Sequence, residues 1–593
     1  MCGFVGLINP SEDSQNILVN LEKSRNLIAH RGKDSQRIFS NKNIYLAFNR
    51  LAIVDLDKRS DQPMQYCYKS KKILGMLNGE IYNFHEIKRN LISKGFKFNT
   101  NSDTEVFLAL FLDKGINCLN ELNGIFSAFV FLEKENTAFL IRDQIGVKPL
   151  YYVEKHLKYN FIFASEIKAF KSFLKLKPNI KALSEFSCFG ENAEEQTIYE
   201  DIYQVKPGSY IEINLDKNFL NNQKNYFSLA NFYNTNISNI FEESSDLNEF
   251  KETFEESLLK QITCEVPTGI EFSGGLDSSL LACIASQLKE INSYSVTIPG
   301  FDINEEYWQD RVLKLISIEN KKFSIKNESF DSENLNHLIF LNDAPLQHPN
   351  FLPCYSLCKK AKKDNIKVML SGDGADEFFS GYKWLEIDQK HRRSSDIIIN
   401  SAFNNLEKIE NLFNQTIDIF PRVNYLNQIK GNSERKNFLL RSHLYFQRFY
   451  LQKWLHRQDR TGMSNGIEIR VPYCDFRLIT KYLKIRLNSL EEICGSKTDL
   501  KKMAENFLPK EIIYRKKIGF PLPLEDIFLE NGFLGNISLL LLKKKYLSYP
   551  EIINPKIASK LAFDHLNKKA KNGRILWTIY NTELWLRLLF KDS

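Results

Sequence analysis

Hydrophobic positions in the first third of the chain fall into short runs divided by turn residues: Gly3–Ile8, Ile44–Phe48, Ile73–Leu77, Ile125–Phe131, Ala138–Ile141 and Phe161–Ala164. Runs of this length read as strands, and helical spacing at Ser14–Ile28 and Thr104–Leu112 interrupts them, which predicts two stacked sheets flanked by helices. The periodicity then fades over 211–246, an Asn-, Ser- and Phe-rich stretch that reads as linker and edge structure. A helical pattern at Leu247–Ile262 leads to a strand at Val266–Phe272, a glycine-rich turn and an apolar helix over Leu280–Leu288. Strands at Ser293–Ile298 and Lys367–Leu370 alternate with helices, the order of a parallel sheet. The expected fold class is α/β, with a layered first domain over 2–210 and a parallel-sheet domain over 247–593.

Composition narrows the partners. A chain of 593 residues exceeds what one hydrophobic core organises. Its net charge of +8 comes from 80 basic and 72 acidic side chains, a mild excess. The runs Lys543-Lys544-Lys545 and Lys568-Lys569-Ala570-Lys571 read as solvated helix faces, so no nucleic acid is expected. No segment approaches the roughly 18 continuous apolar residues of a membrane span. Ten cysteines show no paired metal-binding spacing, and Cys354 and Cys358 fit one face of a helix. They are expected to be reduced, which predicts a cytoplasmic protein.

Candidate chemistry begins at Cys2. Removal of Met1 would leave one residue with a thiol nucleophile and an α-amine of pKa roughly 7.7–8.0, suited to act as its base. An incidental cysteine is the bland alternative; a lipidated one would need an apolar signal segment ahead of it, and none precedes residue 2. Polar clusters punctuate the strands: Arg50-Leu51-Ala52-Ile53-Val54, Asn78-Gly79-Glu80 and Ser102-Asp103-Thr104-Glu105. Singly, they fit an ion pair, a hairpin turn and an N-cap with an acidic first turn. Together with Cys2 they can hold and open a glutamine amide. Arg50 would clamp the α-carboxylate, Asp103 and Glu80 would receive the α-ammonium, and the Asn78 amide and Gly79 N–H would form an oxyanion hole.

With His30-Arg31-Gly32-Lys33-Asp34 and the segment from Arg142-Asp143 through Pro149-Leu150-Tyr151-Tyr152, this third resembles the class II glutamine amidotransferase domain. The resemblance implies an N-terminal nucleophile fold of four layers, α-β-β-α, and extends the glutamine contacts to Leu51, Ala52, Ile53 and Val54. Lys33 stands where the family usually has proline, a change that loosens a turn and removes no catalytic atom.

In the second half, Ser273-Gly274-Gly275-Leu276-Asp277-Ser278-Ser279 joins a strand to a helix, a geometry that offers free N–H groups to an anion. A plain connection with serine caps is the alternative. The turn lacks the Gly-Lys-Ser/Thr of a Walker loop. A second acidic turn, Ser371-Gly372-Asp373-Gly374-Ala375-Asp376-Glu377, follows the Lys367–Leu370 strand. Carboxylates beside a triphosphate call for a divalent cation, so Asp277 and Asp376 are the Mg²⁺ candidates. Lys497 is the candidate cation for charge developing on phosphate oxygens.

The first loop is similar to that of the N-type ATP pyrophosphatases. With Glu468-Ile469-Arg470-Val471-Pro472-Tyr473-Cys474-Asp475, Gly495-Ser496-Lys497 and Arg515-Lys516-Lys517-Ile518-Gly519-Phe520, this half resembles the synthetase domain of glutamine-dependent asparagine synthetases. That resemblance implies ATP contacts at Phe272, Val296, Ser371 and Gly372 beside the loop itself. Asp373, where some members carry Glu, would orient the acceptor or act as a base. It also implies two linked reactions: glutamine hydrolysis at Cys2, and ammonia attack on an acyl-adenylate reached by an internal passage. Aspartate is the default acceptor. The stretch from Asn342 to Phe351 departs from the family, and its His348 and Asn350 serve either loop structure or contact with another carboxylate, such as a sugar uronate. A degenerate binding protein would be expected to have lost Cys2, Asp277 or the acidic loop, and all are present. Assembly is not set by these features; a homodimer is the state to test.

Overall fold

The computed structural model describes residues 2–216, 219–220, 223–237, 247–297, 305–316, 318–325, 330–382, 393–431, 433–487, 496–516 and 522–590. Ile298, Gly495 and the segment Lys517-Ile518-Gly519-Phe520 lie outside them. In the amino-terminal half the strands are β1 (Cys2–Ile8), β2 (Ser35–Ser40), β3 (Ile44–Arg50), β4 (Met64–Tyr68), β5 (Lys71–Ile81), β6 (Gly124–Leu132) and β7 (Thr137–Arg142). They continue with β8 (Tyr151–His156), β9 (Asn160–Ala164), β10 (Tyr203–Gln204), β11 (Ser209–Asn214), β12 (Phe219–Leu220) and β13 (Lys224–Asn225). One sheet runs β10-β8-β9-β1-β3-β2; the other runs β12-β11-β7-β6-β5-β4, with β13 on β11.

Strand alternation builds the layers. Phe4 and Ile8 of β1 face Leu74 and Met76 of β5 in the core between the sheets, where Phe129 stacks on Phe163 at 4.8 Å. The intervening residues point outward: Val5 and Leu7 share a core with Ile17 and Leu21 of the Ser14–Leu27 helix. Ile73 and Leu77 do the same with Phe107 of the Asp103–Lys114 helix. The result is the expected α-β-β-α stack. The expected boundary at 210 falls inside β11, which pairs with β7 from Tyr210↔Ile141 to Asn214↔Thr137. Its alternation is present, but the polar composition just beyond it masked the strand. The Leu229–Ile237 helix likewise lies within the stretch read as linker.

The carboxyl-terminal half contains β14 (Thr268–Glu271), β15 (Asn292–Thr297), β16 (Asn320–Ser324), β17 (Val368–Leu370) and β18 (Glu468–Arg470), in the order β16-β15-β14-β17-β18. Every neighbouring pair is parallel. The chain leaves β14 toward one edge and returns to β17 on its other side, so a topological switch point lies between these strands. β14 is shorter than the Val266–Phe272 run suggested. The helix after the glycine turn starts earlier than its apolar pattern, at Leu276, which puts Asp277, Ser278 and Ser279 in its first turn. The described cysteines are free thiols. Among the described residues, no helix is long and apolar enough to cross a membrane.

Candidate active sites

A cavity of about 30 Å³ opens beside Cys2, lined by Arg50, Leu51, Ile53, Val54, Gly79, Glu80 and Asp103, and also by Ser60, Gln62, Leu77, Ser102 and Thr104. Register creates it: Cys2 pairs with Arg50 across β1 and β3, while β5 brings Gly79 and Glu80 from the facing sheet. Burial pushes the Cys2 thiol up, and the Leu51 backbone N–H and Arg50 oppose that rise. The Cys2 nitrogen donates to Asn78 Oδ1 at 3.1 Å. The Asn78 amide nitrogen, expected in an oxyanion hole, instead donates to Ser127 Oγ at 3.3 Å. Asn78-Gly79 is not a hairpin turn but lies within β5. Gly79 has φ +134°, and a Cβ there would collide with the Ile125 carbonyl.

The other clamp residues are partly engaged. Arg50 donates to Asp61 Oδ1 at 2.8 Å and to the Asp57 carbonyl at 2.9 Å, so its fork shapes the 54–61 loop at the cavity wall. The ion-pair and cavity-lining readings of Arg50 therefore coexist. Ala52 turns away from the cavity, its N–H donating to Asp34 Oδ2 at 2.8 Å. Glu80 pairs with Arg470 of the other half, and burial pushes its carboxyl up against that pull. Asp103 caps the Ile81 N–H at 3.0 Å. It is the cavity carboxylate without a cationic side chain on it among the described residues.

The second constellation gathers at the switch point. Lys497 Nζ lies 2.6 Å from Asp277 and 2.8 Å from Asp376, joining the helix after β14 to the short Ala375–Phe378 helix after β17. Burial alone would lower the Lys497 pKa, but the two carboxylates raise it above its ordinary value. Gly274, at φ +75°, lets the turn pass against the Gln309 backbone, where a Cβ would sit 2.8 Å from its nitrogen. Ser273 Oγ accepts from the Gly275 N–H at 3.2 Å and lies 3.0 Å from Ser278 Oγ. Phe272 is buried and donates its N–H to Tyr294 at 2.9 Å, and Val296 lies farther along that same neighbouring strand. Ser279 is fully buried within the helix.

Asp373 projects from the second loop, beside Ser371 and Gly372. Its carboxylate accepts from Arg457 at 2.9 Å and from Gln458, which also donates to Ser371 Oγ and Glu271 Oε2 at 2.8 Å each. The sequence reading missed Arg457, Gln458 and Glu271; the charged run Arg457-Gln458-Asp459-Arg460 was the available signal. His348 accepts the Asn350 N–H at 3.2 Å at the start of the Phe351–Lys363 helix, with its ring 6.0 Å from those of Phe403 and Trp454. Burial lowers its pKa to about 3, so it is neutral.

For a cation, Asp277 and Asp376 converge on one Nζ, so both carboxylates reach one small volume beside the glycine-rich turn. Among the described residues no three His, Cys, Asp or Glu side chains gather for a metal. Mg²⁺ bound with a nucleotide needs only one or two carboxylates, because phosphate and water oxygens complete its shell. The donor set fits.

Both constellations fall within segments that match known protein families. Residues 1–227 match the family model for the glutamine amidotransferase domain, and residues 249–587 match that for asparagine synthase. The chain belongs to the asparagine synthase family. It is 27% identical to glutamine-hydrolysing asparagine synthetase 1 of Bacillus subtilis, an alignment covering 99% of this chain and 96% of that one. Synthetase 2 of the same organism is 30% identical, over 88% of this chain and 72% of its own. Asparagine synthetase B of Escherichia coli is 26% identical, over 88% and 82%. The family thus joins a glutamine-opening module to a ligase module in one chain.

Proposed function

We propose that the protein hydrolyses glutamine at Cys2 and uses the ammonia to amidate a carboxylate activated by ATP, with aspartate as acceptor and asparagine as product. The observation that carries this reading is Lys497 bridging Asp277 and Asp376 at the switch point, in a chain that also buries Cys2 beside Asp103 and Arg50. In the first reaction, loss of Met1 makes the Cys2 nitrogen an amine that accepts the thiol proton. The sulfur attacks the glutamine carboxamide carbon, ammonia leaves, and water opens the thioester to glutamate. Asp103 is the partner for the substrate ammonium, and Arg50 for its carboxylate.

In the second reaction an acceptor carboxylate oxygen attacks the α-phosphorus of ATP and pyrophosphate leaves. Ammonia then attacks the acyl carbon and AMP departs. Asp277 and Asp376 would hold Mg²⁺, which when bound neutralises phosphate charge. Lys497 meets the charge developing on the departing oxygens, and the Gly274–Ser279 turn offers N–H groups to the phosphates. Asp373, oriented by Arg457 and Gln458, faces the acceptor.

Aspartate is supported by relatives named for asparagine synthesis that align over most of their length. It is also supported by His348, whose Nδ1 is engaged by the Asn350 backbone N–H at the start of a helix. An assay with ATP, Mg²⁺ and glutamine across aspartate and hexuronates, following AMP, pyrophosphate and amide, tests the reading. Amide from a hexuronate with none from aspartate would replace the acceptor; no AMP with any carboxylate would overturn the ligase reading.

A further inference from the structure

A second, larger cavity lies between the two halves, with a volume of about 100 Å³. Its wall contains neither Cys2 nor the Asp277, Asp376 and Lys497 cluster. The loop after the Ile180–Phe189 helix supplies Glu191 and Asn192; the other half supplies Gln347, Arg448 and Lys453. Lys453 is 5% exposed. Among the described residues its ammonium has no hydrogen bond and no ion pair; it rests over the ring of Tyr450 at 3.4 Å and near Trp454 at 5.2 Å. Aromatic faces compensate a buried cation only in part, and three N–H donors are left to satisfy. Burial accordingly depresses the Lys453 pKa to about 7, against the opposing pull of Glu191.

The opposite charge is on the same wall. Glu191 is ion-paired with Arg422 through Oε1 at 2.5 Å, and its Oε2 has no hydrogen bond among the described residues, so lone pairs remain for a ligand ammonium. Gln347, which lines the same cavity, has no side-chain hydrogen bond among the described residues. A cation, an anion and an unspent amide around one small space match the ammonium, carboxylate and polar side chain of a single molecule. The space is below the roughly 300–1,000 Å³ of pockets for drug-sized ligands, the scale of a small molecule.

We propose that this cavity between the halves is a binding site for a free α-amino acid, its carboxylate on Lys453 and its ammonium on Glu191, distinct from the glutamine and acceptor sites. The position suits a sensor of substrate or product. Lys453 is on the Leu451–Met463 helix, which also carries Asp459 to Arg31 beside Cys2, and Arg457 and Gln458 to Asp373. A ligand drawing on Lys453 therefore acts on an element that touches both reaction centres.

Equilibrium dialysis with labelled L-aspartate, L-asparagine and L-glutamate tests this without any turnover, so its outcome is separate from the success of the functional reading. In full-length protein carrying Asp103→Asn and Asp373→Asn, which weaken the two substrate sites, one equivalent of at least one amino acid should still bind. Adding Lys453→Met should weaken that binding at least tenfold, and Gln347→Leu, a milder change, should weaken it severalfold. Absence of the residual equivalent would overturn the proposal, as would a residual equivalent indifferent to both substitutions in cooperatively folding protein. Equal displacement by inorganic phosphate would also overturn it, because the cavity would then select an anion and not an amino acid.

Discussion

Arg31 of the amino-terminal half holds Asp459 of the other half through two hydrogen bonds, 2.7 and 3.0 Å long, with both side chains closed off from solvent. The same guanidinium donates through Nε to the Cys2 carbonyl at 3.0 Å and through NH1 to Glu166 at 2.7 Å. Arg460 reaches Glu166 and Asp343 from the other side, at 2.7 and 3.1 Å. The residue that seats the Cys2 backbone is therefore part of the buried ionic joint between the halves. A shift of one half against the other is a shift at Cys2.

Removing the guanidinium should cost stability as well as activity. Arg31→Met leaves Asp459 without its bidentate partner and Glu166 with fewer donors, and breaking a buried pair costs about 3–5 kcal/mol. Urea unfolding should show a free energy lower by about that amount, read as a lower midpoint at unchanged slope, with glutamine hydrolysis falling alongside it. A variant as stable as the parent would show that the joint contributes nothing.

The same pair sets an acid limb. Burial alone would raise the Asp459 carboxyl, but Arg31, followed by Lys148 and Arg460, holds its pKa below the ordinary value. A depressed folded pKa means that the stabilisation is fully present above the unfolded value of about 3.9 and is lost as pH falls through the lower folded value. Below about pH 4 the parent should therefore lose stability more steeply than Asp459→Asn, although the variant is weaker at neutral pH. Thermal melts between about pH 3 and 7 measure the two slopes; parallel curves would remove Asp459 from the acid response.

Local pattern made much of this visible. Ile44–Phe48 and Ile125–Phe131 were recognisable because apolar residues cover both faces of strands buried in the stack. β2, Ser-Gln-Arg-Ile-Phe-Ser at a sheet edge, has no buried residue and gave no signal. Cys2, Asp277, Asp376 and Lys497 were each legible from their motifs. The ion pairs that fix the neighbouring side chains were not, because pairing between distant positions leaves no periodic trace. Glu80 is 390 positions from Arg470 and Asp373 is 84 from Arg457. The sequence reading assigned Glu80 only to substrate; the fold also uses it to join the halves.

Separation of the two reactions gives a test at Cys2. Cys2→Ala removes the sulfur but leaves the backbone contacts to Asn78 and Arg31, so the fold of the second half should be undisturbed. Glutamine-dependent amide formation should vanish, while synthesis supplied with ammonium salts at alkaline pH should continue at near-parental rate. Parallel loss of both would contradict the division of labour between the halves.

Lys497 gives the complementary test. Its Nζ is the shared partner of Asp277 and Asp376, so Lys497→Met both removes a cation from the proposed phosphate site and leaves two carboxylates facing each other. Loss of one preorganised group that meets transition-state charge lowers turnover by about 10²–10³-fold. Pyrophosphate release should fall by that factor, whereas glutamine hydrolysis, centred on the other constellation, should persist. Lys497→Arg keeps the charge but cannot place it as a compact point, so it should restore only part of the rate. If Lys497→Met instead weakened ATP binding and left the rate at saturating ATP unchanged, Lys497 would be a ground-state anchor and its assignment to the developing charge would fail.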